Sequence, residues 1–184
     1  DVEKFNINFK NKYLIYTRFS DEIDKLPNIK KHLNKYKPIL DDQIQRYNED
    51  MPWFALHRPG SHSIFESKEK IIAPYRAKSN VFGYTNKKLY SSRDNYLICL
   101  KNSFLKEIEI KYILGILNSE ITLFWLLKKG KRKGSMLELY PKPLEIIPIK
   151  NTDKKTRDIV INIVDELIVD NKKESLEKKL NEQI

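Results

Sequence analysis

The chain's 184 residues carry 35 Lys and Arg against 25 Asp and Glu, a formal net charge of +10, with 40% hydrophobic residues and eight Phe, ten Tyr and two Trp. That length and aromatic content exclude a disordered chain and suit one domain with its own core, extended by a helical tail. The single cysteine, Cys99, excludes a disulfide framework and a thiolate metal cluster.

In chain order, residues 13–17 form a β-branched and aromatic run that predicts a strand. Ser20 or Asp21 can cap the next segment, and Pro27 suits the first turn of a helix carrying Ile29, Leu33 and Tyr36. Pro38 ends or kinks that helix, a second short one comes after it over 39–47, and 48–52 read as a polar loop. Strands are predicted at 64–65, 70–73, 80–85 and 96–100, with turns at 59–61 and 85–88 between them. Cys99 lies in the last of these runs as a small hydrophobe.

Residues 107–128 hold the strongest helical pattern. Ile110, Ile113, Leu114, Leu117 and Ile121 recur at three- and four-residue spacing, and Leu123, Phe124, Leu126 and Leu127 make the far end apolar nearly all round. Asn118-Ser119 marks a point where this pattern can divide into two helices. Gly130 and Gly134 bracket a basic loop, and 137–140 and 146–149 read as short strands separated by Pro141 and Pro143. Residues 152–184 form a long helix candidate whose apolar stripe, from Ile159 to Ile184, drifts too far for a strict coiled coil. The fold class is α+β: a mixed, mostly antiparallel β-sheet with flanking helices and a long C-terminal helix. It divides into a domain over 1–150 and a helical tail over 151–184.

The charge is uneven. From residue 151 onward seven basic residues meet eight acidic ones, so the first 150 residues hold a net +11. A local excess of that size points to a polyanionic partner, because each neutralised phosphate releases counterions. No run is long and apolar enough to cross a bilayer, and a cytoplasmic protein without membrane contact is expected. The opening Asp and the unfinished helical pattern at the end suit a segment of a larger polypeptide.

Catalytic signatures are thin. There is no glycine-rich phosphate loop, no nucleophile elbow and no metal-ligand spacing among His32, His57 and His62, so no catalytic residue, metal or cofactor is expected in this segment. Glu109-Ile110-Lys111 matches half of a carboxylate-x-Lys nuclease pattern, which makes a Mg²⁺-dependent nuclease one alternative. Another is a protein–protein interaction module whose tail helix pairs with a partner and whose basic surface is incidental. The basic groupings carry more. Lys128, Lys129, Lys131, Arg132 and Lys133 cluster around the glycines and suit sequence-independent contact with phosphates. His57, Arg58, Tyr75, Arg76 and Lys78 lie among aromatics and prolines and are candidates for base or groove contact, arginine's planar fork being matched to guanine. Tyr84 and Tyr90 can add stacking, whereas Trp53 reads as core.

An ordered set of blocks carries a family resemblance. It comprises Tyr13-Leu14-Ile15-Tyr16, Trp53-Phe54-Ala55-Leu56-His57-Arg58, and Phe65-Glu66 with Lys70-Ile71-Ile72-Ala73-Pro74. Leu114-Gly115-Ile116-Leu117-Asn118-Ser119 comes next, then Leu139-Tyr140-Pro141 with Leu144-Glu145-Ile146-Ile147-Pro148-Ile149. Over 13–149 this order resembles the TaqI-like C-terminal specificity domain, the target-recognition part of adenine-specific DNA methyltransferases and of fused type IIG restriction-modification enzymes. The resemblance implies a module that reads a short duplex sequence and holds DNA against a separate catalytic domain of the same polypeptide. In that domain S-adenosylmethionine would supply a methyl group to a flipped adenine. It also implies that 114–119 belong to a core helix. The Asn-Pro-Pro-Tyr type motif of the modifying half is absent, so this segment by itself should not methylate.

Overall fold

The structure is a computed structural model that describes residues 1–47, 50–101, 103, 108–170 and 174–184. It falls into two compact units, Asp1–Lys10 with Ser63–Ile184, and Asn11–His62. The class is α+β, as the sequence predicts, with α-helices and two small antiparallel sheets among the described residues.

In the larger unit, β1 (Lys70–Pro74) is the central strand of the first sheet. It lies antiparallel to β3 (Gly83–Thr85) on one side and β4 (Asn95–Ile98) on the other. Its Ile71, Ile72 and Ala73 are all buried, which is why the strand reads as a continuous apolar run. Lys70 is buried too: Nζ donates to Ser67 O at 2.6 Å and Lys87 O at 2.9 Å, while burial holds its pKa below the usual lysine range. At Pro74, which has no N–H to give, the chain leaves this sheet. It enters a second one through β2 (Arg76–Ala77), a strand that sequence reading missed. The second sheet has the order β2-β6-β5, with β5 at Arg132–Lys133 and β6 at Met136–Glu138.

Helix α4 (Ile110–Asn118) forms the middle of the core, and Ser119 starts α5 (Glu120–Lys129) at a 65° bend. The predicted division at Asn118-Ser119 is therefore present; of the expected first turn, residue 107 falls outside the described residues, and the helix starts only at Ile110, after an extended Glu109. The bend is built from buried polar groups. Ser119 Oγ donates to Ile116 O at 2.6 Å, and Thr122 Oγ1 donates to the same carbonyl at 2.6 Å. Asn118 clasps the backbone of Phe82: its Oδ1 accepts from Phe82 N at 3.0 Å and its Nδ2 donates to Phe82 O at 2.8 Å. From the other side, Asn80 Nδ2 donates to Leu117 O and to Ser119 O, both at 2.8 Å. The segment leading into β3 is thereby locked to the end of α4.

The tail folds back on the core. α7 (Lys154–Val169) starts at Asp153, whose carboxylate accepts from Thr156 N at 2.9 Å, and α8 (Glu174–Gln183) returns antiparallel to it. Val160, Val164, Leu167, Leu176 and Leu180 join the same core cluster as α4. Gly115 makes this possible: a Cβ there would stand 3.0 Å from Val160 Cγ1 and 3.1 Å from Val164 Cγ2. By packing, the 151–184 tail is thus part of the larger unit. The apolar stripe drifts because the tail is two helices meeting one surface from opposite directions.

In the smaller unit, a short 3₁₀ turn (Ile23–Lys25) precedes α1 (Pro27–Asn34) and α2 (Lys37–Tyr47), with Pro27 opening the first as expected. Ile23 is its one buried large hydrophobic side chain among the described residues. The predicted strand at 13–17 is not a strand. Leu56 N donates to Thr17 O and Thr17 Oγ1 donates to Phe54 O, but Tyr13 is 87% exposed, and β-propensity without a neighbouring strand makes no ladder.

Two other strand expectations also fail. Residues 64–65 lie in α3 (His62–Glu66), and the segment before 146–149 is α6 (Pro141–Glu145), with no strand after it. Pro141 occupies the first position of α6, where a missing N–H costs nothing. Among the described residues no single helix is long and apolar enough to cross a membrane.

Replacing Asn118 with Ala would orphan the buried Phe82 N–H and weaken the hold on its carbonyl. The unfolding free energy should fall by about 2–3 kcal/mol, read as a lower denaturant midpoint at unchanged slope. A loss within measurement error would mean that water replaces the amide.

Candidate nucleic-acid interface

The basic segment expected as a loop is mostly ordered structure. Lys128 and Lys129 form the last turn of α5, where cations also complement the helix dipole, and Gly130 N closes that helix on Leu126 O at 3.0 Å. Lys131 then leads into β5, and a two-residue turn at Gly134-Ser135 reverses the chain into β6. Gly134 has φ +61°, the left-handed conformation such tight hairpins demand and glycine adopts most easily. The register pairs Arg132 with Leu137 and Lys133 with Met136.

Glu138 organises the sheet. It stands directly across from Arg76 on β2, and its side chain is only 5% exposed. Arg76 donates to Glu138 Oε1 from Nε at 3.0 Å and from Nη2 at 2.9 Å, and Lys131 Nζ lies 3.5 Å from Oε2. The Arg76 hydrogen bonds hold the Glu138 carboxyl below the usual carboxylate range, against the opposing effect of burial, and Lys131 adds to the lowering. Lys131 Nζ also donates to Tyr140 OH at 2.8 Å, the largest cause of the raised pKa of its ammonium.

Tyr75 is the corner between the two sheets. Its N–H donates to Asp94 O at 2.7 Å and its carbonyl accepts from Leu139 N at 2.9 Å. Its ring lies 4.5 Å from the Arg76 guanidinium carbon and beside the rings of Tyr96 and Tyr140.

The fold therefore brings two sequence-predicted groups to one three-stranded sheet. Arg76 is on β2, with Tyr75 and Lys78 near it in the chain, and Arg132 and Lys133 are on β5, with Lys131 just before them. Lys128 and Lys129 stand immediately before this group. Their situations differ. Arg76 is held by Glu138 and half-buried, whereas Lys78, Lys128, Lys129, Arg132 and Lys133 are exposed. His57 and Arg58 belong to the smaller unit. His57 stacks on Tyr47 with ring centroids 4.6 Å apart, and both line a shallow groove of about 320 Å³ with Leu40, Ile44, Trp53 and Arg58. Tyr84 and Tyr90 are engaged by carboxylates, their hydroxyls donating to Glu69 and Glu66.

Sequence reading missed Glu138 and Tyr140. The available signal was a lone carboxylate within the apolar run Met136-Leu137-Glu138-Leu139, which implies a buried cationic partner.

The residues behind the nuclease alternative are committed elsewhere. Glu109 Oε2 lies 3.3 Å from Arg157 Nε, and Lys111 Nζ donates to Asp165 Oδ1 at 2.6 Å, so both tie α7 against the start of α4. The tail invoked for the interaction-module alternative packs Val160, Val164, Leu167, Leu176 and Leu180 into the core, leaving Ile159 and Val169 exposed.

The chain matches the TaqI-like C-terminal specificity domain family over residues 1–149, and it belongs to that family. It is similar to the type II methyltransferase M.HincII of Haemophilus influenzae, 31% identical over 81% of this chain and 33% of that protein. It is also similar to the type II methyltransferase M.HindII of Haemophilus influenzae strain ATCC 51907, 32% identical over 81% of this chain and 32% of that protein. The chain thus spans about a third of the length of these curated relatives.

Because the Glu138 carboxyl is harder to protonate when folded, the unfolded chain takes up that proton first as pH falls. Its stabilising contribution is complete above the ordinary carboxylate pKa and is lost as the pH drops through the lowered folded value. Glu138→Gln removes this titration. Denaturant unfolding monitored from about pH 5 down to about pH 2 should lose less stability in the variant than in the parent. Parallel acid limbs would show that the Arg76 pairing does not couple to folding.

Proposed function

We propose that this chain is the DNA-recognition module of a type II restriction-modification methyltransferase, reading a short sequence in double-stranded DNA and presenting it to a catalytic domain of the same polypeptide. One observation carries the reading: in a chain of the specificity-domain family, a folded sheet displays exposed cations along a hairpin and the neighbouring helix end. Arg132 and Lys133 on the hairpin, with Lys128 and Lys129 beside them, neutralise phosphates. Lys78, and Arg58 in the smaller unit, approach base edges. Arg76, held by Glu138, shapes the surface beside them.

The chemistry belongs to the partner domain, adenine-N6 methylation in this proposal, in a cytoplasmic enzyme that can also carry an endonuclease. The five glycines here are Gly60, Gly83, Gly115, Gly130 and Gly134, spread singly along the chain. Residues so arranged do not make the glycine-rich loop that cradles S-adenosylmethionine, which would be held by the catalytic domain. The similar Haemophilus proteins are both type II methyltransferases, which supports the assignment of the parent.

The test is the salt dependence of duplex binding. Replacing Lys128, Lys129, Arg132 and Lys133 together by Ala should weaken binding to every sequence. It should also reduce the slope of log affinity against log salt by about 3 to 4, since each lost phosphate contact removes about 0.9. Alanine at the exposed Lys155 and Lys179 should leave the slope unchanged. Equal losses from both sets would make the basic sheet one charged surface among several and remove the basis of the proposal.

A further inference from the structure

We infer that the outward face of α5, together with Pro148 and Ile149, is the surface on which the catalytic portion of the same polypeptide docks; this rests on the function proposed above. The face is inverted for a solvent-facing helix. α5 turns Thr122 inward, where its hydroxyl serves the Ile116 carbonyl, and leaves Ile121 63%, Phe124 62% and Leu127 42% exposed at successive three-residue steps. Ile149 borders the same surface: with Ile121, Trp125 and Pro148 it lines an apolar groove of about 290 Å³. A helix apolar on nearly every side is built to be covered, and contiguous apolar surface on this scale marks an interface.

DNA does not suit this face. Its three neighbouring aliphatic and aromatic side chains offer nothing to a phosphate, and the cations beside them are few: Lys128, whose Nζ lies 5.7 Å from the Phe124 ring centroid, and Lys150, which lines the groove with its Nζ donating to Ile184 O. What suits it is a protein surface, and the relatives say how much protein is available. About two thirds of each curated relative lies outside the matched region, and the family's own description places the specificity domain on the C-terminal side. A preceding domain would join at the N-terminal segment, and the fold brings that segment close to α5. Lys4 Nζ pairs with Glu177 Oε2 on α8 at 2.9 Å, and one turn further along α8, about 6 Å, Asn181 Oδ1 accepts from Glu120 N at 2.8 Å, at the first residue of α5. The incoming chain is thus delivered beside the uncovered face.

The experiment uses the full polypeptide without DNA, carrying either Phe124→Cys or Lys155→Cys, the latter at an exposed position on α7. Thiol labelling is read peptide by peptide by mass spectrometry. The Phe124→Cys thiol should react at least tenfold more slowly than the Lys155→Cys thiol. Hydroxyl-radical footprinting of the unsubstituted polypeptide gives the same reading without a variant: Ile121 and Phe124 should be protected. Sedimentation should show that this protection persists in the monomer. Equal labelling rates, or oxidation of Ile121 and Phe124 as fast as for open side chains, would overturn the inference. Protection that vanishes on dilution as a dimer dissociates would also overturn it, assigning the face to a second copy. An open face with the hairpin's salt effect intact would remove this inference alone, whereas loss of the salt effect would remove the function it rests on.

Discussion

The larger unit depends on how two asparagines are satisfied at the turn between α4 and α5. Asn118 takes up both backbone groups of Phe82, and Asn80 supplies donors to the carbonyls of Leu117 and Ser119. All of this happens out of water, where an unmet amide is expensive and a completed network is rigid. The Phe82 carbonyl also accepts from Phe5 N at 2.8 Å, so the N-terminal segment is fastened at the same point. Once the corner is set, α4 presents Gly115 to α7, the first sheet is held through β3, and the direction of α5 is decided. That direction determines where Gly130 ends the helix and where the basic hairpin begins.

On this scaffold the charge is sorted rather than merely accumulated. Glu138 engages two of the candidate cations, Arg76 and Lys131, and locks β2 to β6 by doing so. Arg132 and Lys133 stand outward on an edge strand and Lys128 and Lys129 on the last turn of a helix, where the proposed function has them track a phosphate backbone. The same residues serve the fold, since an edge strand bearing Arg132 and Lys133 discourages pairing with another chain and Lys128 and Lys129 suit the helix C-terminus. In the proposed function, phosphate contact and base reading fall to different residues, the latter to Lys78 and to Arg58 in the smaller unit.

Much of the larger unit was readable from the residues. The three- and four-residue spacing of Ile110, Leu114 and Leu117 showed α4, the polar pair Asn118-Ser119 showed the break, and the run 70–73 showed a strand, whose burial on both faces only the fold revealed. What could not be read was long-range. Arg76 and Glu138 are 62 residues apart, and only the register of β2 against β6 makes them partners. The basic stretch looked like a loop because glycines bracket it, yet one glycine ends a helix and the other turns a hairpin. Residues 13–17 had the composition of a strand without a neighbouring strand, and 146–149 had it after a helix that Pro141 starts. Local preference set the composition of those segments, and tertiary context decided their conformation. Of the candidate site, the residue types were visible early, but which cations are held and which remain open became clear only from the sheet.

The central claim is that duplex DNA lies across the hairpin and the end of α5. Lysine acetylation footprinting, with and without a long duplex at low salt, tests it most directly. The account predicts that Lys78, Lys128, Lys129 and Lys133 lose reactivity when DNA is bound, while Lys155 and Lys178 keep theirs. Protection spread evenly over the chain, or confined to α7 and α8, would contradict it.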